Sequence, residues 1–168
     1  WDARKRGTQA EKRWKTLFEE SGAPYPELAS EFSRRMGGEL PDGGEKLLTD
    51  HATALQKAAK PQASRVSSKE TLDILAPALP ELLGGSADLS GSVGTQWNGA
   101  VPVTHDNFSG RYISYGVREF GMGAMMNGLA LHGGFIPYAG TFLVFADYAK
   151  SALRLSALMK QRVIWVLT

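Results

Sequence analysis

The segment YISYGVREFGMGAMMNGLALHGG, residues 112–134, holds a single carboxylate, Glu119; the dozen residues after it are small or apolar apart from Asn127. An acid in a first helical turn favours the positive end of the helix dipole by a few tenths of a kcal/mol up to about 1 kcal/mol. That accounts for Glu119 if it is solvated. The helix it heads is apolar on every face, however, and this predicts burial. A buried carboxylate costs several kcal/mol unless it is paired or protonated, and a carboxyl group in such a setting is a candidate general acid or base. Arg118 beside it offers the competing account, a plain ion pair. A second group lies in TFLVFADY, residues 141–148, where Phe142, Phe145 and Tyr148 recur every third position. That spacing predicts three rings on one helical face, which serve either as ordinary core or as the wall of an aromatic pocket. Asp88, in GGSAD, follows a glycine turn at the end of a short apolar run and reads as a turn or helix-cap residue or as a site acid.

Other chemistries find no support. His51, His105 and His132 are far apart in sequence, and no pair has a metal-ligand spacing such as HExxH. GVREFGMG lacks the GxGxxG spacing of a dinucleotide site. The chain has 168 residues and no cysteine, so thiolate catalysis, a disulfide scaffold and a cysteine zinc site are excluded, and a reducing, cytoplasmic setting is expected. A net charge of +2 gives no broad field for nucleic acid or an anionic membrane. No run has the length of a membrane span, and no signal peptide is seen. The chain opens without Met and stops on the apolar run QRVIWVLT, which is expected of a fragment of a longer protein.

The elements that must position these residues can be read in outline. Residues 1–60 hold 11 Lys+Arg and 10 Asp+Glu, against 8 and 7 in residues 61–168. A charged, mostly helical segment therefore precedes an apolar α/β part. Helices are predicted at 9–20, with Trp14, Leu17 and Phe18 at helical spacing, and at 25–36, started by Pro24 and Pro26. Residues 37–46 read as a breaker and 57–65 as a connector. Beyond it, a helix capped by Ser67 or Ser68 with Glu70 in its first turn leads to the strand LLGGS. The strand YISYG, a helix from Glu119 to His132, the strand GFIPYAG, a helix over 148–159 and the strand RVIWVLT follow. Pro137 is awkward for a central strand. Apolar strands alternating with helices predict an α/β fold, a parallel sheet flanked by helices on both faces. Ligands of such sheets lie beyond the carboxyl ends of the strands.

The words GGSADL (84–89), YGVREFGM (115–122), LHGGFIPYAGTFLVFADYA (131–149) and ALMKQRVIWVLT (157–168), in this order and spacing, resemble transketolases. The resemblance is specific over residues 61–168 and looser over 1–60. It implies a domain plan: residues 1–45 as the helical end of a diphosphate-binding domain, 46–62 as a linker, and 63–168 as the front of a pyrimidine-binding domain. It implies the transfer of a two-carbon ketol unit from a ketose phosphate such as xylulose 5-phosphate to an aldose phosphate such as ribose 5-phosphate, in the pentose phosphate pathway. The cofactor implied is thiamine diphosphate with Mg2+ or Ca2+, the metal ligands falling outside this segment. Sugar phosphates and a second subunit are the implied partners, in a homodimer with the cofactor at the subunit interface. The fragment alone is expected to be inactive.

Residue by residue, the resemblance makes Glu119 the catalytic glutamate that contacts the aminopyrimidine ring nitrogen and shares a proton with it. It makes Phe142, Phe145 and Tyr148 the wall of the pyrimidine pocket, with Phe145 stacking, and puts Asp88 near the cofactor. Arg65 and Ser92 match positions that bind the substrate phosphate, a charge-assisted pairing that is chemically sensible; on its own, Arg65 would read as a solvated charge. Val93 departs from the Asn that many relatives carry there. The rival readings are another thiamine-diphosphate enzyme, such as a deoxyxylulose-phosphate synthase or a dehydrogenase component, and a non-catalytic dimerisation domain. The latter is disfavoured by the joint presence of Glu119, the aromatic triplet and Arg65.

Overall fold

A computed structural model describes residues 2–168; Trp1, the first residue of the segment read as 1–45, lies outside the described residues. The chain divides into two compact units, one ending at Glu39 and one spanning Leu40–Thr168. The first is a helical hairpin of α1 (Arg4–Gly22) and α2 (Pro26–Gly37). Helix α1 begins five residues before the predicted start, because the charged run ahead of Gln9 is made mostly of good helix formers. Pro26 occupies the first turn of α2, where its missing N–H costs nothing, and Gly38 ends it in the left-handed region. The hairpin is joined by Trp14, Phe18 and Phe32, whose ring centroids lie 5.6–6.1 Å apart. On α2, Arg34 and then Arg35 hydrogen-bond Glu31 and hold its carboxyl down at about 2.

The second unit opens with a helix where the sequence reading expects a breaker and a linker. Helix α3 covers Gly44–Ala58, so only a short extended piece remains of the segment read as 46–62. The reason is visible in its inner row, Leu47, His51 and Leu55, spaced four apart and half-buried. A histidine in that row masks the apolar period. His51 is therefore no connector residue: its Nε2 lies 3.1 Å from Thr71 Oγ1 on the next helix. Helix α4 (Ser64–Ala78) starts three residues ahead of the expected Ser67 cap. The Gln62 amide donates to Ser67 Oγ and Glu70 Oε2, which occupies the two side chains expected to close a capping box.

Four parallel strands follow: β1 (Leu82–Ser86), β2 (Tyr112–Ser114), β3 (Ile136–Thr141) and β4 (Ile164–Leu167), in the order β2-β1-β3-β4. This is the predicted parallel sheet with helices on both faces. Pro137 is accommodated at the second residue of β3, opposite Leu83. Between β1 and β2 lies the one-turn helix α5 (Ser90–Val93), which the sequence reading did not foresee. Helix α6 (Glu119–His132) has the predicted bounds. Helix α7 spans Ala146–Leu158 and is preceded by a 3-10 turn, Leu143–Phe145. One sheet face is covered by Leu72 and Ala76 of α4, by Leu79 just after it and by Trp97, packed with Leu82 and Tyr138. The other is covered by Met122 and Met126 of α6, packed with Ala87, Tyr115, Ala139 and Trp165.

Two glycines let aromatic rings approach the backbone closely. A Cβ on Gly84 of β1 would fall 1.9 Å from the Tyr138 ring, so β1 and β3 can be neighbours with that ring between sheet and helix only if residue 84 has no side chain. A Cβ on Gly123 of α6 would fall 2.3 Å from the Trp165 ring and 2.7 Å from Ala152 Cβ of α7. The Gly123→Ala variant therefore separates two effects of opposite sign. Helix propensity alone would stabilise the protein by about 0.8–1 kcal/mol. Overpacking costs about 1–3 kcal/mol, and with a rigid indole as the obstacle it wins. We expect a net loss of stability, measured as a lower denaturant midpoint; a higher midpoint would show that α6 and α7 are free to move apart.

Candidate functional site

The sheet order places β1 and β3 side by side although they are not consecutive. The connection after β1 runs over the Trp97 face, and α7, after β3, packs with α6 over the opposite face. A crevice therefore opens beyond the carboxyl ends of β1 and β3, the general ligand position in such sheets. The two strand ends are tied by Ala87 N–H donating to Gly140 O at 3.1 Å. Asp88 and Thr141 each lie one residue beyond that bond. On the other side of β3, Thr168 N–H donates to Thr141 O at 3.3 Å, and Leu143 N–H returns to Thr168 O at 2.8 Å.

Glu119 is delivered to this crevice by the turn after β2. Gly116 takes a positive φ of 70°, which lets the chain reverse from strand to helix. Glu119 is the first residue of α6 and only 7% exposed. Its one hydrogen bond comes from Thr141 Oγ1 to Oε1 at 3.5 Å, the outer limit of such contacts. The ion pair with Arg118 is not formed. Arg118 is exposed and its Nη1 donates to Tyr115 O at 3.0 Å. No cation among the described residues pairs with Glu119. The result is a carboxylate nearly out of water with acceptor capacity to spare, facing the end of β3. A ligand that brings N–H or O–H groups to it would complete its hydrogen bonds.

The aromatic triplet begins immediately after Thr141. Its centroids are 5.9 Å apart for Phe142 and Phe145 and 6.0 Å for Phe145 and Tyr148. The rings do form a row, but not on one α-helical face as expected. Phe142 precedes the 3-10 turn, Phe145 closes it, and only Tyr148 belongs to α7. A 3-10 turn has three residues per turn and eclipses positions i and i+3, which is why threefold spacing still stacks the rings. Phe142 and Phe145 are half-buried and Tyr148 is 68% exposed, so the row runs outward from the end of β3 to the surface and is not core.

Asp88 is exposed and held in the left-handed region, φ 61°. It caps no helix: the turn after β1 is closed by Ser86, whose Oγ accepts from Leu89 N at 3.1 Å. Its side chain is left free at the crevice edge. Arg65 and Ser92, 27 positions apart in sequence, come from adjoining elements. Arg65 is exposed in the first turn of α4 and Ser92 is exposed on α5. The contact between them runs through Gly94, which has φ 68° and whose added Cβ would lie 2.8 Å from Arg65 O. Val93 is buried, its Cγ2 pressed against Gly140 of β3. An apolar residue suits that position, because it lies against the backbone of a central strand.

Thr141 is a candidate site residue, by its contact with Glu119, that sequence reasoning missed. It sits at the end of an apolar strand, and nothing in its local pattern marks it. Tyr115 is another buried polar residue at a strand end. Its hydroxyl has no partner among the described residues, and burial, then Tyr112, push it up to about 12. Below pH 10 the folded and unfolded chains both hold that proton. Between about 10 and 12 the unfolded chain releases it and the folded chain does not, so stability falls as pH rises. The Tyr115→Phe variant should be as stable as the parent or slightly more so at pH 7, since it removes an unpaired hydroxyl. It should also lose stability less steeply above pH 10, by up to about 1.4 kcal/mol per pH unit. Denaturant titrations across that range test both, and an unchanged alkaline slope would refute the burial of this hydroxyl.

Comparisons with known proteins agree in kind. The family "Transketolase, pyrimidine binding domain" matches residues 60–168. The plasmid transketolase of Cupriavidus necator is 51% identical over the whole of this chain, which spans 25% of that relative. Transketolase 2 of Escherichia coli is 49% identical with the same coverage. Among solved structures, a Pichia stipitis transketolase in complex with sedoheptulose 7-phosphate superposes with a TM-score of 0.82 at 38% identity, covering 96% of this chain and 24% of that one. Leishmania mexicana transketolase gives 0.80 at 38% identity, covering 97% and 24%. The chain thus spans about a quarter of the length of the curated relatives it matches.

Proposed function

The chain belongs to the transketolase pyrimidine-binding domain family, and from that premise we propose that it is the part of a transketolase that holds the reactive end of the cofactor, in a protein that moves a two-carbon ketol unit from a ketose phosphate to an aldose phosphate. The observation that carries this reading is Glu119, a buried carboxylate with, among the described residues, one long hydrogen bond and no paired cation. The residues fit thiamine diphosphate. Glu119 offers a dry acceptor to a ring nitrogen, and the row of half-buried Phe142 and Phe145 and exposed Tyr148 offers aromatic faces to a flat heterocycle. Asp88, free at the crevice edge, adds a polar group beside the same ring.

When bound, thiamine diphosphate supplies the carbon nucleophile of the reaction, and the protein supplies orientation, dryness and protons. Glu119 shares a proton with the pyrimidine ring; its burial keeps that proton from exchanging freely with water. Thr141 holds the carboxyl against the end of β3. The aromatic row fixes the plane of the ring. Arg65 and Ser92 grip the phosphate of the sugar, Arg65 by charge and Ser92 by its hydroxyl. In this reading residues 1–45 close a diphosphate-binding domain and residues 63–168 begin the pyrimidine domain. Mg2+ is held by residues outside this chain, so the chain alone is inactive. The second subunit packs on the outer side of α6, where Phe120, Met125 and Leu131 are exposed despite being large and apolar. A cytoplasmic, pentose phosphate pathway setting follows from the same reading.

Two substitutions in the whole enzyme test it. Glu119→Gln keeps the shape and the hydrogen bond but cannot share a proton. It should lower kcat by about 10²–10⁴ with KM for the sugar phosphate far less changed. Exchange of the cofactor's C2 proton should slow in parallel. Arg65→Ala should raise KM for phosphorylated sugars and leave that exchange alone. If the Gln variant exchanges the proton at the parent rate, Glu119 is only a helix-terminus acid and the proposed mechanism is wrong.

A further inference from the structure

Four hydroxyl groups form one connected chain beneath the turn that follows β1. Thr95 Oγ1 lies 3.0 Å from Tyr112 OH; Tyr112 OH donates to Ser90 Oγ at 2.6 Å; Ser90 Oγ lies 2.9 Å from Ser86 Oγ. Ser86 in turn receives Leu89 N–H. Ser86, Thr95 and Tyr112 are buried, and Ser90 is half-buried. The chain therefore runs from the start of β2 to the end of β1 and passes through α5 at half-buried Ser90.

Helix α5 is one turn of four residues. Its own backbone bonds cannot hold so short a helix in place, because nucleation fixes several residues for a single bond. Two anchors do so. Val93 fixes one side by packing on Gly140 of β3. Ser90 fixes the other through Tyr112 and Ser86. Between and beyond these anchors lie Ser92, exposed, and Gly94, which meets the Arg65 carbonyl.

We propose that the Thr95–Tyr112–Ser90–Ser86 hydroxyl chain is a positioning device for the phosphate grip: it fixes α5 so that the Ser92 hydroxyl stands beside Arg65. Tyr112 and Ser90 are positioning residues that touch no substrate. The proposal rests on the reading of Arg65 and Ser92 as phosphate-binding. Removing one hydroxyl leaves a buried partner unpaired; with its polar anchor gone, α5 turns about Val93, and Ser92 moves away from the phosphate. The cofactor end of the crevice, held by the bond between Ala87 and Gly140, is not disturbed.

The test uses the whole enzyme with xylulose 5-phosphate and, separately, unphosphorylated xylulose as donor. Ser90→Ala and Tyr112→Phe should each raise KM for xylulose 5-phosphate by about three- to tenfold, because each removes a hydroxyl that makes two contacts in the chain. Their kcat, and kcat/KM with xylulose, should stay within about twofold of the parent. Ser90→Thr, which keeps the hydroxyl, should restore the parent KM. Arg65→Ala runs beside them: if it leaves KM for xylulose 5-phosphate unchanged, the phosphate reading itself fails and the proposal falls with it. If Arg65→Ala raises KM while Ser90→Ala and Tyr112→Phe do not, the positioning role alone is overturned. Equal losses with both donors would overturn it as well, because they would mean a general disturbance of the site. Should Ser90→Ala fail to fold, Tyr112→Phe decides, since it removes only an oxygen from a ring that stays in place.

Discussion

The pairing of β1 with β3 is the constraint on which the rest of this structure depends. These strands are separated in sequence by β2 and α6, yet they run side by side, and the connections that leave them pass over opposite faces of the sheet. That arrangement opens a crevice beyond the strand ends, where open parallel sheets generally take their ligands. It also requires Gly84, because the Tyr138 ring of β3 occupies the volume a side chain on β1 would take. Once the two strands are locked through Ala87 and Gly140, every element of the site follows from what each strand end carries. Asp88 and α5 follow β1, and Thr141 and the aromatic row follow β3.

The site is built from groups that the fold leaves incompletely satisfied. Glu119 is nearly removed from water and given one long hydrogen bond. Arg118, the neighbour best placed to neutralise it, spends its guanidinium on the Tyr115 carbonyl. Tyr148, the outer ring of the aromatic row, is left at the surface, although Tyr138 fills the core. Surroundings of opposite character sit on either side of α6. Its inner face packs Met122 and Met126 against the sheet, while its outer face leaves Phe120 and Met125 to solvent in the single chain. A helix apolar all round is expected to be buried on every side, and the sheet and α7 cover α6 only in part.

Much of this was legible in the sequence. The parallel sheet, the bounds of α6 and the isolation of Glu119 follow from apolar runs alternating with helical periods and from one acid in an apolar stretch. These features are local, and local pattern is what a sequence displays directly. Where the reading failed, the cause was a side chain whose role is set at a distance. His51 broke the apolar row of α3 because it answers to Thr71 of another helix. Ser67 and Glu70 looked like a capping box but are engaged by Gln62, which lets α4 begin earlier. The threefold aromatic spacing was visible, but that it would be read out by a 3-10 turn was not.

The sequence by itself determined which residues are candidates for chemistry: one acid in an apolar segment, three aromatics in series, an arginine and a serine 27 positions apart, and no thiol. Residue types, period and burial tendency are properties of the chain and need no fold to be stated. Only the tertiary structure decided which of them meet. It brought Thr141 to Glu119 across 22 positions and set Gly94 against Arg65. It tied Ser90 to Tyr112 through a hydroxyl contact with no trace in either neighbourhood. The physical reason is that each contact is fixed by strand order and register, and these are settled by packing two sheet faces at once, which no short window of sequence contains.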